Sequence, residues 1–414
     1  MNTIERSTKT PRTMEAGELT PWVTAFANEL GSLGYTALTV GGYIDCARHF
    51  GAWLASNNIE FNEIGDDAAD RFAQHHCHCG GYRRAVPRSS SYVNRVHRFV
   101  VFLAGRGVIS PLTEAAASPV DPRISDFQDW LTRHRGISRR TATRHGKMVM
   151  RLLPSLGSEP HAYSAAGTRM AILDEVQRCS VAYAKTMTTA LRGYLRFLAA
   201  AGLCSPGLEH AVPRIPQWRL SSLPRYLSPD QVERLLASCD RQSGRGVRDG
   251  AILLLLARLG LRAGDILEMR LGDIDWPSGT LRVRGKGRRE TRLPLPQDAG
   301  DAVLAYLDGI RPPVDSDHLF ARLVAPFRPL SSSSAISNIV ALALTRAGID
   351  DPPSHGANLL RHSAATHMLR GGATLQSVSA VLRHRSLETT TIYAKVDLNM
   401  LSQIAQPWLG DVAC

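Results

Sequence analysis

Residues 279–295 read GTLRVRGKGRRETRLPL. Leu281 and Val283 alternate with polar residues, Gly285 and Gly287 mark a turn, and alternation resumes through Leu293. A period of two on both sides of a glycine turn predicts a β-hairpin. The surrounding sequence has a different period. Before the hairpin, DGAILLLLARLG (249–260) reads as a mostly apolar helix stopped by Gly260. After it, LSSSSAISNIVALAL (330–344), TLQSVSAVLRH (374–384) and LNMLSQIAQPWL (398–409) carry helical spacing, the second of them capped by Thr374. The expected fold is mainly α, with a small antiparallel β-sheet in the C-terminal domain and helical domains N-terminal to it.

Upstream, LSPDQVERLLASC (227–239) opens the C-terminal domain: Ser228 is an N-cap, Pro229 suits the first helical position and Gln231 completes a capping box. The linker AVPRIPQWRLSSLPRY (211–226), with three prolines and three arginines, sets the boundary near Leu223. Farther back, WVTAFANELGSLGY, YIDCARHFGAWLA and YVNRVHRFVVFLAGRG space their apolar residues by three and four, up to a Pro-containing linker near ISPLTEAAASPVDP (109–122). The pattern then comes round again. RHRGISRRTATRHGKMVMRLLPSLG parallels GSLGYTALTVGGYIDCARHFGAWLA, and YAKTMTTALRGYLRFLAAAGLCSP parallels SSSYVNRVHRFVVFLAGRGVISP. Two related helical domains in tandem are expected, beside the plainer reading of chance similarity between helix ends. The domains are placed at 1–115, 120–213 and 223–414.

The chain of 414 residues carries 49 Lys and Arg against 37 Asp and Glu, a formal net charge of +12. That balance favours a polyanionic partner, nucleic acid first, although a basic surface also serves solubility. No run of about 18 apolar residues is free of charge. The N-terminus lacks the apolar core of a secretion signal, so no membrane association and a cytoplasmic location are expected. Seven scattered cysteines in such a chain point to reduced thiols rather than a disulfide framework.

Candidate chemistry gathers in the last domain. Arg262 follows Gly260 in GLRAGDILEMR, and Arg361 lies in HGANLLRHSAATHML (355–369) with Asn358 at i−3. Two arginine forks from different elements suit a phosphodiester and the extra charge of its pentacoordinate transition state. Taken singly, each also reads as an ordinary surface arginine. Lys286 sits between glycines at the hairpin tip, flanked by Arg284, Arg288 and Arg289, where an ammonium can protonate a leaving oxygen or simply grip phosphates. Tyr393 follows His384 by nine residues in LRHRSLETTTIYAKV. A phenol with an ordinary pKa of about 10 is a poor nucleophile unless positive charge or a base assists it.

The order GLRAGD, GKGRRETRLPL, NLLRHSAATHML, VLRHRSLETTTIY resembles the tyrosine recombinase (phage integrase) family from about Ser228 to Val396. The resemblance implies that Tyr393 attacks a scissile DNA phosphate, leaving a 3′-phosphotyrosine and a free 5′-hydroxyl, without metal, ATP or other cofactor. It implies that Arg262 and Arg361 hold the phosphoryl oxygens, Lys286 protonates the leaving oxygen and His384 hydrogen-bonds the phosphate. Asp265 matches an acidic position that orients Arg262 or a neighbouring histidine. Arg284, Arg288 and Arg289 would contact DNA. The implied partners are double-stranded DNA with inverted-repeat sites and further copies of the chain, as a dimer on one site and a tetramer in synapsis, with partner recombinases beside them. The upstream helical unit would be a DNA clamp, preceded by an extra helical domain, in a prokaryotic, nucleoid-associated protein of a mobile element.

Two positions depart from the family pattern. Leu-Gly-His is Leu382-Arg383-His384, which adds positive charge, and the histidine of His-x-x-Arg is Asn358. An amide cannot take the phenol proton at neutral pH, though it can hydrogen-bond a phosphate oxygen or position the phenol. His355 is expected at or before the helix start, and His362, next to Arg361, is expected to point elsewhere as a structural partner rather than a base. A DNA-binding architectural or regulatory protein that has lost cleavage therefore stands as the alternative function, with topoisomerase-like relaxation and metal-dependent cleavage as further ones. The cluster HHCHCGGYRR (75–84) offers His75, His76, Cys77, His78 and Cys79, which Cys46 and His49 could join from a neighbouring helix. One Cys-x-Cys without a second pair is weak metal spacing, so a helix-capping or DNA-contacting loop, and no metal, is expected there. Leu398, Leu401, Ile404, Trp408 and Leu409 predict a C-terminal helix that docks on a neighbouring protomer or on its own core.

Overall fold

Serine and threonine caps start many of the helices in this chain, whose computed structural model describes residues 19–65, 67–79, 89–111, 121–216, 223–284, 290–396 and 401–402. The chain divides into two compact units, one of Met1–Ser110 with Ser222–Cys414 and one of Pro111–Ser221. The first unit begins with helices α1 (Thr20–Ser32), α2 (Ala37–Ser56), α3 (Ala68–Gln74) and α4 (Ser90–Gly105). The Thr36 hydroxyl accepts the Thr39 N–H ahead of α2, and Ser89 accepts the Tyr92 N–H ahead of α4. Phe26, Phe50, Phe72 and Phe99 are buried among these helices.

The second unit holds α5 (Pro122–Arg135), α6 (Arg139–Leu156), α7 (Ala165–Val176) and α8 (Val181–Ala200) around Phe127, Met187, Leu191 and Tyr194. Its internal plan repeats that of the four N-terminal helices. In each set the first helix packs on the second and the second on the fourth, and a 3-10 turn lies between the second and the third. The fourth helices end alike: Gly107 and Gly202 take φ of 70° and 71°, where a side chain would be strained. Just beyond each glycine the chain turns back, Val108 N–H to the Leu103 carbonyl at 3.0 Å and Leu203 N–H to the Leu198 carbonyl at 2.8 Å.

The remainder of the first unit opens with α9 (Pro229–Ala237), whose Ser228–Gln231 capping box forms as the sequence predicts. The helix α10 (Gly244–Leu259), apolar from Ala251 to Ala257, becomes a central helix, packed against α12 (Gln297–Leu307), α13 (Ser333–Arg346) and α14 (Asn358–Arg370). Between α10 and α12 lie α11 (Ala263–Glu268) and an antiparallel sheet of β1 (Ile274–Asp275), β2 (Thr280–Arg284) and β3 (Glu290–Pro294), ordered β1-β2-β3. Leu281 stands opposite both Ile274 and Leu293, and all three are buried, so the alternation that predicts the hairpin also supplies its inward face. The two-residue β1 is too short to announce itself by period. The helices α15 (Leu375–Leu382) and α16 (Thr391–Ala394) complete the unit. The fold is mainly α with one small antiparallel sheet among the described residues. The C-terminal helix expected over 398–409 lies outside them except for Leu401 and Ser402, and among them no helix is long and apolar enough to cross a membrane.

Candidate active site

Two helix ends meet on the side chain of Arg361. This residue lies in the first turns of α14 and is 5% exposed. Its guanidinium donates from Nη1 to the carbonyl of Gly260 and from Nη2 to the carbonyl of Leu382, each at 2.5 Å. Gly260 ends α10 with φ of 58°, and a Cβ there would meet the Leu382 side chain at 2.7 Å. Arg262 lies two residues after one of these carbonyls and His384 two residues after the other. One buried arginine thus fixes the chain just ahead of two other candidate residues.

Arg262 caps α11: its backbone N–H donates to Asp265 Oδ2 at 2.7 Å, and its Nη2 reaches the Arg383 carbonyl at 3.4 Å. Asp265 is 8% exposed and also accepts from Arg383 Nη2 at 2.6 Å. The departure from Leu-Gly-His has a clear structural form here. Arg383 closes α15 at φ of 55°, a left-handed conformation in which glycine is unstrained and a side chain is not. Its guanidinium turns inward to pair with Asp265 instead of adding charge to the surface, and its Nε and Nη1 are buried without a hydrogen-bond partner. The carboxylate of Asp265 therefore holds the Arg262 backbone and the Arg383 side chain, rather than the side chain of Arg262.

Three arginines around one carboxylate leave an excess of positive charge. Burial, and after it the charge of Arg262, pulls the Arg361 guanidinium down to about 10. It stays protonated at neutral pH, and an anion bound beside it would relieve part of the repulsion. The Asp265–Arg383 pair gives a stability prediction. Asp265→Asn strands a buried guanidinium and is expected to cost about 3–5 kcal/mol. Adding Arg383→Gly, which removes the stranded charge and suits the left-handed backbone, is expected to return most of it. Thermal melts of the two single variants and the double variant check this, and additive losses would contradict the pairing.

The Tyr393 side chain, 2% exposed on α16, is set between two imidazoles. Its hydroxyl lies 2.9 Å from His362 Nδ1, and its ring runs parallel to that of His384, 8° apart in plane with centroids 6.4 Å apart. From its place beside Arg361, His362 is expected to point elsewhere. The α14 helix instead turns it toward α16, because Arg361 faces the α10 and α15 ends and the next residue follows about 100° round the helix. Burial raises the Tyr393 phenol above its ordinary value, while Arg361 and then Arg262 pull it back only in part. Burial, and then Arg361, lowers His362, so its imidazole is neutral at pH 7 and able to accept a proton. His384 is pushed down to about 4 by burial and then by Arg361 and Arg262, and its Nδ1 meets the hydroxyl of the buried Thr390 at 2.7 Å.

Other candidates are placed differently. Asn358 is the first residue of α14 and exposed, and His355 precedes the helix and is exposed as well. Arg284 ends β2 at the last strand pair before the turn, paired with Asp273 and Glu290 at 3.2 Å each. Lys286, Arg288 and Arg289 lie outside the described residues. Thr390, which orients His384, had no sequence signal beyond membership of a threonine run.

Residues 225–400, which include all these groups, match the phage integrase family. The putative integrase/recombinase y4rA of Sinorhizobium fredii is 36% identical over 403 residues, covering 95% of this chain and 96% of that protein. Tyrosine recombinase XerC of Mycobacterium bovis is 34% identical over 223 residues, covering 52% of this chain and 73% of that protein. Among solved structures, a lambda integrase dimer bound to a COC′ core site shares the fold with a TM-score of 0.53 at 18% identity, covering 69% of this chain and 96% of that one. Since a relative aligns over nearly the full length and the family match spans the whole arginine–histidine–tyrosine cluster, the chain belongs to the phage integrase family of tyrosine recombinases.

Proposed function

We propose that this chain is a site-specific DNA recombinase that cleaves and rejoins DNA through a 3′-phosphotyrosine on Tyr393, in the integration, excision or transposition of a mobile element. The observation that carries this reading is the Tyr393 hydroxyl, 2.9 Å from a neutral imidazole and within the field of Arg361 and Arg262. The phenolic oxygen forms a bond to phosphorus as the bond to the 5′-oxygen breaks, and the phenol proton passes to His362 Nδ1 in the tautomer protonated on Nε2. Arg262 and the donors of Arg361 not used on the two carbonyls stabilise the added phosphoryl charge. The leaving 5′-oxygen takes its proton from Lys286, the role that the family motif gives this residue. Because the ester conserves the bond energy, a 5′-hydroxyl from a partner strand reverses the steps, and neither metal nor ATP is needed. The reading carries over double-stranded DNA with inverted-repeat sites and assembly of further copies, since the similar lambda integrase structures are a dimer bound to a core site and a tetramer bound to a Holliday junction.

This role for His362 also bears on Asn358. The family's histidine is missing at that position, but the phenol has a base in contact with it, which favours a competent enzyme over a DNA binder that has lost cleavage.

The test uses nicked duplexes, in EDTA, built on inverted repeats to be sought in the DNA that flanks the gene. The expected result is a protein–DNA adduct that survives denaturation and maps to the peptide containing Tyr393. Sequence-specific binding without any adduct would leave the architectural reading in its place. His362→Ala is expected to slow cleavage by about 10²–10⁴-fold with DNA affinity unchanged. The wild-type rate should also fall in acid, as pH drops through the lowered pKa of His362 and the imidazole becomes protonated and can no longer accept. The variant should lose that acid limb. A variant rate within twofold of wild type with the same limb would remove His362 from the reaction.

A further inference from the structure

We infer that the N-terminal helical region carries a structural zinc site made by His49, His75, Cys77 and Cys79. His49 comes from α2, and the other three come from the segment that follows α3. The four ligand atoms lie within 4.8 Å of one another. Cys77 Sγ is 3.3 Å from His49 Nε2, and Cys79 Sγ is 3.7 Å from His75 Nε2. With Zn–S of about 2.3 Å and Zn–N of about 2.0–2.1 Å, a tetrahedral ion sets its sulfur and nitrogen ligands about 3.6 Å apart. The two observed distances fall on either side of that value.

The remaining ring nitrogens give a second, independent argument. His75 Nδ1 meets the Phe72 carbonyl at 2.5 Å, and His49 Nδ1 meets the Tyr92 hydroxyl at 2.8 Å. A hydrogen bond from Nδ1–H to a carbonyl or hydroxyl fixes the tautomer and leaves the Nε2 lone pair directed at the thiols, as metal-bound histidines are usually held. The backbone selects the ligands as well. Over 75–79, His75 and Cys77 are half-buried and Cys79 is buried while His76 and His78 are exposed, the alternation that a period of two gives. His49 is fully buried and Cys79 is 2% exposed, and the rings of Phe72, Trp53 and Tyr92 pack on the two histidines.

Two thiolates balance a zinc dication. Four protein ligands leave no open coordination position, so the role is structural. The ion would tie the end of the seven-residue α3, too short to be stable alone, to α2 and, through Tyr92, to α4. Two thiols hydrogen-bonded to two imidazoles would be the plainer account of the contacts, and a Cys77–Cys79 disulfide is a third.

Full-length protein made without a metal-affinity tag and dialysed against metal-free buffer is expected to hold about one zinc per chain by elemental mass spectrometry. Cobalt in its place should show tetrahedral d–d bands and a thiolate charge-transfer band. Cys77→Ser/Cys79→Ser should lose the metal, whereas His76→Ala/His78→Ala, altered only at exposed positions, should keep it. Should the serine variant fail to fold, the metal content and cobalt spectrum of the unaltered chain still decide. Less than about one zinc in ten wild-type chains, a cobalt spectrum without thiolate ligation, or a Cys77–Cys79 disulfide in the purified protein would overturn the site.

Discussion

Tyr393→Phe is expected to bind the recombination site as tightly as wild type while the covalent adduct on nicked DNA falls to background. Phenylalanine fills the same space, so the buried ring can still pack between His362 and His384. What is lost is the hydroxyl, and with it the atom that joins to phosphorus. No other group in the described cluster can replace it: His362 and His384 are held on its flanks, and Thr390 is engaged with His384. The structural cost is one hydrogen bond at a half-buried imidazole, about 1 kcal/mol, so a melting curve within a few degrees of wild type should accompany the complete loss of cleavage. Gel-shift and adduct assays on the same DNA separate the two effects. An undiminished adduct would place the nucleophile elsewhere, and loss of binding together with cleavage would make Tyr393 a packing residue of the DNA-binding surface.

Local rules made much of this protein legible from sequence. The hairpin, the Ser228 capping box and the stop at Gly260 each depend on residues only a few positions apart, and each forms where the spacing put it. The motif order was legible for a similar reason, since arginine, histidine and tyrosine keep recognisable neighbours. What stayed hidden depends on how distant elements meet. The aim of His362 follows from the docking of α14 against α16, and the inward turn of Arg383 follows from Asp265 lying 118 residues earlier in the chain. The members of the His49–Cys79 cluster were among the ligands the sequence offered, but its Cys-x-Cys spacing differs from the two-residue gap of common zinc motifs, and only the fold selects His49 over Cys46 and His75 over His76 and His78.

Arg361→Ala is expected to reduce cleavage by about 10³-fold or more and to destabilise the fold, and Arg361→Lys should rescue neither fully. Phosphate donors in such sites are each worth about 10²–10³-fold in rate, and this arginine also sets the chain ahead of Arg262 and His384. Removing it leaves the carbonyls of Gly260 and Leu382 without their donor, at about 1–3 kcal/mol each. Against that stands relief of the crowding that pulls Arg361 down to about 10, so the net loss should be smaller than the sum. Lysine keeps the charge but places its donors at one point, and one ammonium cannot replace a planar fork that spans two helix ends. If charge alone mattered, the lysine variant would retain cleavage within about tenfold of wild type. If the bridge matters, lysine and alanine should be nearly equally inactive, with lysine the more stable of the two. Single-turnover cleavage and thermal melts on both variants distinguish these outcomes. Activity in Arg361→Lys would mean that the two turns hold their positions without the arginine between them.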